Sequence, residues 1–384
     1  MIVNQYNVPF LTHNEFRWLP DCNVGEIYDF SDKDYYVIQF LEGINCTTER
    51  LIEAVPEDIR QRVRDKTLTL VLGNHLEAFH RTADAAYAKF VVEMNLPEEQ
   101  VLLLTSSPNI MPAVRRYASQ YNRKEIKVVW ARIYEYYAAS VEIHNIHSRP
   151  IDKRNKTFDK KFISLNRRWR PHRPALVALL ACKNLLEKGH ISLADCENGN
   201  WDHVYPWIMH ISHDEELRRL FTENKEKIYN IPPLYVDTET QENNLDTFRF
   251  ELQPFYENTY FSIVTETPFY TSEGFDNNIH LSEKTFKVIS QRHPFLLLDT
   301  PHALKALRSI GYKTFSPFIN ESYDEELNDG KRLMKIVNEV ERLCNLQGND
   351  LDNFLVGIQD ICEHNYQNLI KNNNVLGRYC VNLN

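Results

Sequence analysis

Along residues 35–131, short apolar runs alternate with longer stretches that are polar on one face. "YYVIQFLEG" (35–43), "TLTLVLG" (67–73), "QVLLLTSS" (100–107) and "EIKVVWA" (125–131) are dominated by aliphatic and β-branched residues, and each predicts a buried strand. Residues 47–64, the stretch running to Met94, and the segment beginning at Pro108-Asn109 predict the helices between them. Apolar strands separated by helices imply a parallel sheet covered on both faces. The alternation pauses over "HNIHSRPIDKRNKTFDK" (144–160), polar and without a period, which predicts a linker.

It then resumes. "KFISLN" (161–166), "YFSIVTET" (260–267), "PFLLLD" (294–299) and "YKTF" (312–315) predict strands. "HRPALVALLACKNLLEKG" (172–189) predicts an apolar helix closed by Gly189, and 282–291 a short helix. Thr300-Pro301 predicts a cap and first helical position for a helix closing at Gly311. Residues 195–258 have no clear period apart from a helix near 214–229, and 324–345 and 350–372 are helical. The expected architecture is α/β, with two parallel-sheet domains (residues 1–150 and 151–384) and a helical C-terminal part.

Composition narrows the chemistry. With 384 residues and 43% hydrophobic content, two ordinary cores can be buried. A net charge of 44 − 53 = −9 argues against a whole surface built for duplex DNA, while leaving room for a local basic groove. Cys22, Cys46, Cys182, Cys196, Cys344, Cys362 and Cys380 are scattered without a C-x-x-C, as reduced thiols of a cytoplasmic protein would be. The opening residues lack the basic and apolar regions of a secretory leader, and no apolar run is long enough to span a membrane. No phosphate-binding P-loop, G-x-G, G-x-S-x-G or H-E-x-x-H occurs. His144/His147, His210/His213/Asp214 and Asp32/Asp34 have metal-ligand or D-x-D spacing, but such short matches arise easily, and no metal is expected.

Three constellations remain. Residues 153–173 carry nine Lys/Arg and one acid, Asp159, with Arg167, Arg168, Arg170 and Arg173 clustered where a strand passes into a helix. Such a junction, at the carboxyl edge of a parallel sheet, favours anions through its free N–H groups, and guanidinium forks add bidentate phosphate contacts. A solvated basic linker is the bland alternative for Lys153–Lys161. Ser282-Glu283-Lys284-Thr285 opens a helix; Ser282 can cap it and Glu283 complements its dipole, but Lys284 is a cation at the wrong end unless an anion joins it. Finally, Asn74, His75, Glu77 and His80 follow a strand end at Gly73, where His75 or Glu77 could act as a general base or simply begin a capped helix.

"ISLNRRWRPHRPALVALL" together with "YFSIVTETPFY…IHLSEKTFKVISQRHPFLLL" resembles the donor-binding domain of fucosyltransferase-like glycosyltransferases of the GT-B type. It is most similar to divergent glycosyltransferase-like proteins of bacteriophages and other viruses, over roughly residues 161–345. The resemblance implies two Rossmann-like domains facing a cleft and a nucleotide-diphosphate sugar as co-substrate, with no further cofactor. By position it implies donor contacts at Arg173, with Arg168 and Arg170 as rivals, and at Glu283 and Lys284 beside Ser282. It implies a first-domain base, matched to Glu77 with His75 beside it, and inverting, metal-independent transfer. The acceptor it implies is a glycan, lipid or protein hydroxyl. A hydroxymethylated DNA base is the other acceptor class, and a non-catalytic nucleotide- or glycan-binding module is the other use of the fold.

Overall fold

A computed structural model describes residues 2–3, 34–39, 47–74, 81–135, 138–139, 153, 156–166, 170–193, 201–236, 253–270, 278–371 and 380–382. The chain divides into two compact units. The first comprises Met1–Tyr137, Glu273–His280 and Asn372–Asn384, and the second Ala138–Ser272 and Leu281–Lys371.

In the first unit, β1 (Ile2–Val3), β2 (Asp34–Gln39), β3 (Leu68–Asn74), β4 (Val101–Thr105) and β5 (Lys127–Ala131) lie side by side in sequence order, all parallel. The strand Cys380–Asn382 extends the sheet antiparallel beside β5. The connecting helices are α1 (Thr48–Ala54), α2 (Glu57–Arg64), α3 (Arg81–Glu93) and α4 (Met111–Gln120). Successive same-handed crossovers between neighbouring strands place their helices on one face, and α1 packs on α3 and α3 on α4. Ile38, Leu70, Leu72, Leu103 and Val128 meet Phe90 and Val91 there. Val71, Leu102, Leu104 and Val129 on the alternate positions are buried as well, so the strands are covered on both faces. The helix expected over 47–64 is two helices. Val55 is pushed into extended backbone by Pro56, and the second helix starts after the proline. After β4, the Ser106 hydroxyl bonds His280 Nδ1 at 3.0 Å and the Asn109 amide oxygen accepts the Ile279 N–H at 2.9 Å, which ties 278–280 into this unit.

The second unit is a four-stranded parallel sheet of β6 (Phe162–Asn166), β7 (Gly189–Leu193), β8 (Phe261–Thr265) and β9 (Phe295–Leu298), in the order β7-β6-β8-β9. Its helices, in chain order, are α5 (His172–Cys182), α6 (Trp201–Ile211), α7 (Glu215–Glu223), α8 (Lys225–Tyr229), α9 (Gln253–Glu257), α10 (Glu283–Ser290), α11 (Ala303–Ser309), α12 (Asp329–Cys344) and α13 (Gly348–Lys371). Helix α5 is buried along its whole length, as a helix apolar on every side must be.

Three sequence expectations fail here for identifiable reasons. The helix expected to run to Gly189 stops at Cys182, and Gly189 instead opens β7 directly opposite Phe162. A Cβ at that glycine would sit 2.3 Å from the Phe162 ring, so only glycine permits the two strands to pair there. Residues 312–315 form no strand. Their backbone is satisfied by side chains: Asn365 Oδ1 accepts Lys313 N–H at 2.8 Å, and Glu321 accepts Phe315 N–H. Likewise α11 is not capped by Thr300. Asp324 accepts the Leu304 and Lys305 N–H groups at 2.8 and 3.2 Å, and His302 enters the helix in the left-handed region at φ 71°.

The basic linker reading also fails at Lys153. Its side chain is buried, and its amine donates to the backbone carbonyls of Tyr256 (2.7 Å) and Thr259. Burial pulls its pKa from 10.5 down to about 7. A neutral amine has two protons, enough for both carbonyls. The unfolded chain therefore binds more protons than the folded one between about pH 7 and 10.5, and this group's contribution to stability rises with pH through that window and is lowest and constant below it. Urea denaturation across that range should show a slope of up to about 1.4 kcal/mol per pH unit that Lys153→Met removes. Parallel pH profiles for the two proteins would refute the buried-amine assignment.

Candidate functional site

The chain leaves β6 in one direction to make β7 and returns on the other side to make β8, so the strand order reverses between β6 and β8. In open parallel sheets the crevice at the carboxyl ends of two such strands is where ligands bind. Here the backbone ladder between the two strands is short. Their backbone pairing covers only Phe162↔Phe261 and Ile163↔Ser262. Nearer the carboxyl ends the connection is made by side chains: the Thr265 hydroxyl donates to Asn166 Oδ1 at 2.7 Å, and Asn166 Nδ2 donates to the Ser164 hydroxyl at 3.2 Å.

Glu266, the first residue after β8, is fully buried. Its backbone N–H remains in the sheet, donating to Leu298 O at 2.9 Å. The carboxylate turns to the start of α10, where Oε1 accepts Ser282 N–H (3.0 Å) and the Thr285 hydroxyl (2.6 Å), and Oε2 accepts the Ser282 hydroxyl. Ser282 is the helix cap, with extended backbone and its oxygen 3.3 Å from Lys284 N. The Lys284 ammonium lies 2.7 Å from Glu283 Oε1, 3.0 Å from Ser282 Oγ and 3.9 Å from Glu266 Oε2. Thus Lys284 is not a stray cation at a helix start. Two carboxylates offset the unfavourable dipole, and the side chain keeps 28% of its exposure.

The helix start following β6 approaches the same two residues from the other side. Arg173 is buried and donates Nη2–H to Thr265 O at 3.2 Å, while His172 Nε2–H donates to Glu266 O at 2.8 Å. Burial, and after it the neighbouring Arg173 guanidinium, pushes His172 well below its ordinary pKa, so the ring is neutral. His172 stacks on Phe269 with centroids 5.3 Å apart, and the buried Arg332 guanidinium lies 4.3 Å over that same Phe269 ring. Aromatic and cation–π contacts of this kind hold the imidazole plane fixed.

Of the residues singled out from the sequence, Arg173, Ser282, Glu283 and Lys284 meet around Thr265–Glu266, and Arg170 is partly exposed one turn before Arg173. Arg168, His75 and Glu77 lie outside the described residues, as do His144 and His147. Asp214 serves as the cap of α7, accepting Leu217 N–H at 2.9 Å. Sequence reasoning missed Glu266, His172 and the Asn166–Thr265 pair. A usable signal existed: Glu266 is an ionisable residue between two threonines directly after the apolar run "FSIV". Elsewhere in the second unit a hollow of about 710 Å³ opens beside Arg308, Glu321, Asp324 and Arg342, where Glu321 and Asp324 already accept backbone N–H groups.

No family model and no curated protein matches the chain. Among solved structures it is similar to an α,α-trehalose-phosphate synthase (UDP-forming) from Burkholderia vietnamiensis, at 10% identity and TM-score 0.44, over 90% of this chain and 73% of that one. It is also similar to the N-terminal domain of a trehalose-6-phosphate phosphatase from Candida albicans, at 8% identity and TM-score 0.38, over 97% of this chain and 77% of that one. Likenesses this distant carry no argument about activity.

Ser282→Ala removes the cap oxygen and one of the donors to the buried Glu266 carboxylate. It should lower the stability of the second unit by about 1–3 kcal/mol, measured by urea denaturation. A loss near zero would mean that the carboxylate is satisfied without it.

Proposed function

We propose that the protein is a glycosyltransferase of the GT-B type, moving a sugar from a nucleotide-diphosphate donor to an acceptor hydroxyl, with its donor site in the second unit. The observation that carries this reading is the arrangement at the β6/β8 reversal, where a capped helix start bearing Glu283 and Lys284 and a second helix start bearing Arg173 converge on residues 265–266. The sequence resemblance to fucosyltransferase-like and phage glycosyltransferase-like proteins assigns Glu283, Lys284 and one arginine of this helix start, Arg173 with Arg168 and Arg170 as rivals, to donor binding.

In this reading the Lys284 ammonium, aided by the N-terminal dipole of α10, takes the charge that develops on the departing diphosphate. Glu283 accepts from ribose hydroxyls. Arg173, enclosed and donating to Thr265 O, holds the end of β8, whereas Arg170 retains the exposure needed to reach a phosphate. A base from the first unit, Glu77 or His75, removes the acceptor proton as the acceptor oxygen attacks the anomeric carbon and the bond to the diphosphate breaks. Such a displacement inverts the anomeric centre, and protein cations do the work that a metal does in other transferases. A glycan, lipid or protein acceptor accords with the net charge of −9.

A thermal-shift and calorimetric screen of UDP, GDP, ADP and CMP compounds tests the donor site, and a stabilising nucleotide is expected. Lys284→Ala should weaken that nucleotide by about tenfold to a hundredfold, the equivalent of one charge-assisted hydrogen bond. Glu77→Gln should leave donor binding unchanged and abolish transfer. A screen without any ligand would remove the donor-site reading, and full activity in Glu77→Gln would remove the base.

A further inference from the structure

The residue that organises this site is one that the resemblance assigns to nothing. We propose that Glu266 is the positioning residue of the donor site, setting the first turn of α10 and the Lys284 ammonium for an anionic ligand; this rests on the donor-site reading above. Glu266 itself is sealed from solvent and does not touch the ligand in this scheme. It acts through α10.

Both carboxylate oxygens are committed to the helix start. Oε1 joins the cap's N–H to the hydroxyl of Thr285 one turn along, so the cap and the first turn move as one piece. Oε2 binds the cap hydroxyl, whose oxygen is also the acceptor for Lys284 N and Nζ. The lysine stem is thereby held at both ends, at its backbone and at its ammonium. A flexible four-carbon side chain restrained before binding loses less freedom when the anion arrives.

The geometry separates this role from that of an ordinary buried ion pair. The buried pair in the same unit, Arg332 with Asp329, closes to 2.8 Å with both side chains enclosed. Lys284 instead stands 3.9 Å from the buried Glu266, pairs at 2.7 Å with the partly exposed Glu283, and keeps its own side chain 28% exposed. The backbone of Glu266 is held from two further directions, by Leu298 O at its N–H and by His172 Nε2–H at its carbonyl. The carboxylate is thus a rigid reference point tied to the sheet, and the helix start is measured from it.

The test uses the full chain with UDP and GDP as probes, in wild type, Glu266→Ala, Glu266→Gln, Lys284→Ala and the Glu266→Ala/Lys284→Ala double variant. Calorimetry gives affinities, and amide hydrogen exchange over 278–290 without nucleotide gives the order of the helix start. Glu266→Ala should weaken the probe that wild type takes by about tenfold or more and speed exchange at 283–286. Glu266→Gln, which keeps an acceptor for Ser282 N–H and Thr285, should restore both measurements to within about threefold of wild type. In the Lys284→Ala background, Glu266→Ala should add no further loss of affinity, because the effect passes through that lysine. Losses that add in full across the two sites, or unchanged affinity and exchange in Glu266→Ala, overturn the positioning role. Wild type that takes neither probe overturns the donor-site reading instead, so the two failures are distinguishable.

Discussion

A carboxylate with no access to water must be met by donors, and at Glu266 the donors all come from one short stretch of chain, Ser282 to Thr285. Unmet, a buried carboxylate would carry a desolvation cost of several kcal/mol. The chain between β8 and α10 is therefore not free to choose where the helix begins. It begins where Ser282 can present both its N–H and its hydroxyl to the carboxylate. Everything chemical in the second unit follows from that point: the direction of α10, the height of Lys284, and the pairing of Lys284 with Glu283.

The sheet makes room for this arrangement. Reversal of strand order puts β6 and β8 side by side with their connections leading in opposite directions, and their backbone ladder ends after two residue pairs. Beyond it Asn166 and Thr265 join the strands through side chains, and Arg173 and His172 reach across to the carbonyls of Thr265 and Glu266. Behind the imidazole, Phe269 and the enclosed Arg332 form a support that belongs to α12 and the strand-end segment, far apart in sequence. The first unit is organised differently, with strands in sequence order and helices stacked along one face.

Much of the second unit was legible because its signals are local. The strands "KFISLN" and "PFLLLD", the buried helix over 172–182 and the short helix after Ser282 all appear close to where periodicity and caps place them. The failures have a common form. Gly189 resembles a helix end because glycine usually is one, and only the Phe162 ring across the strand reveals why it opens β7. "YKTF" resembles a strand, but Asn365 and Glu321 satisfy its backbone before any strand can. Thr300-Pro301 resembles a cap, yet Asp324 supplies it from twenty and nineteen positions further along the chain. In the site, Arg173, Ser282, Glu283 and Lys284 could be picked out because charge at a helix start is visible in one dimension, whereas Glu266 showed only as an acid after an apolar run, and its partners appear only in the fold.

The sequence by itself determined an α/β chain with parallel sheets, the helix start at Ser282, and an unexplained cation beside it. Periodicity, capping preference and charge are properties of neighbouring residues and need no third dimension. The tertiary structure alone decided that the β6–β8 ladder ends after two residue pairs, that Lys153 is enclosed rather than solvated, and that a buried glutamate receives the helix start beside Lys284. Those facts depend on which segments exclude water from one another, and burial is settled only when the chain has folded.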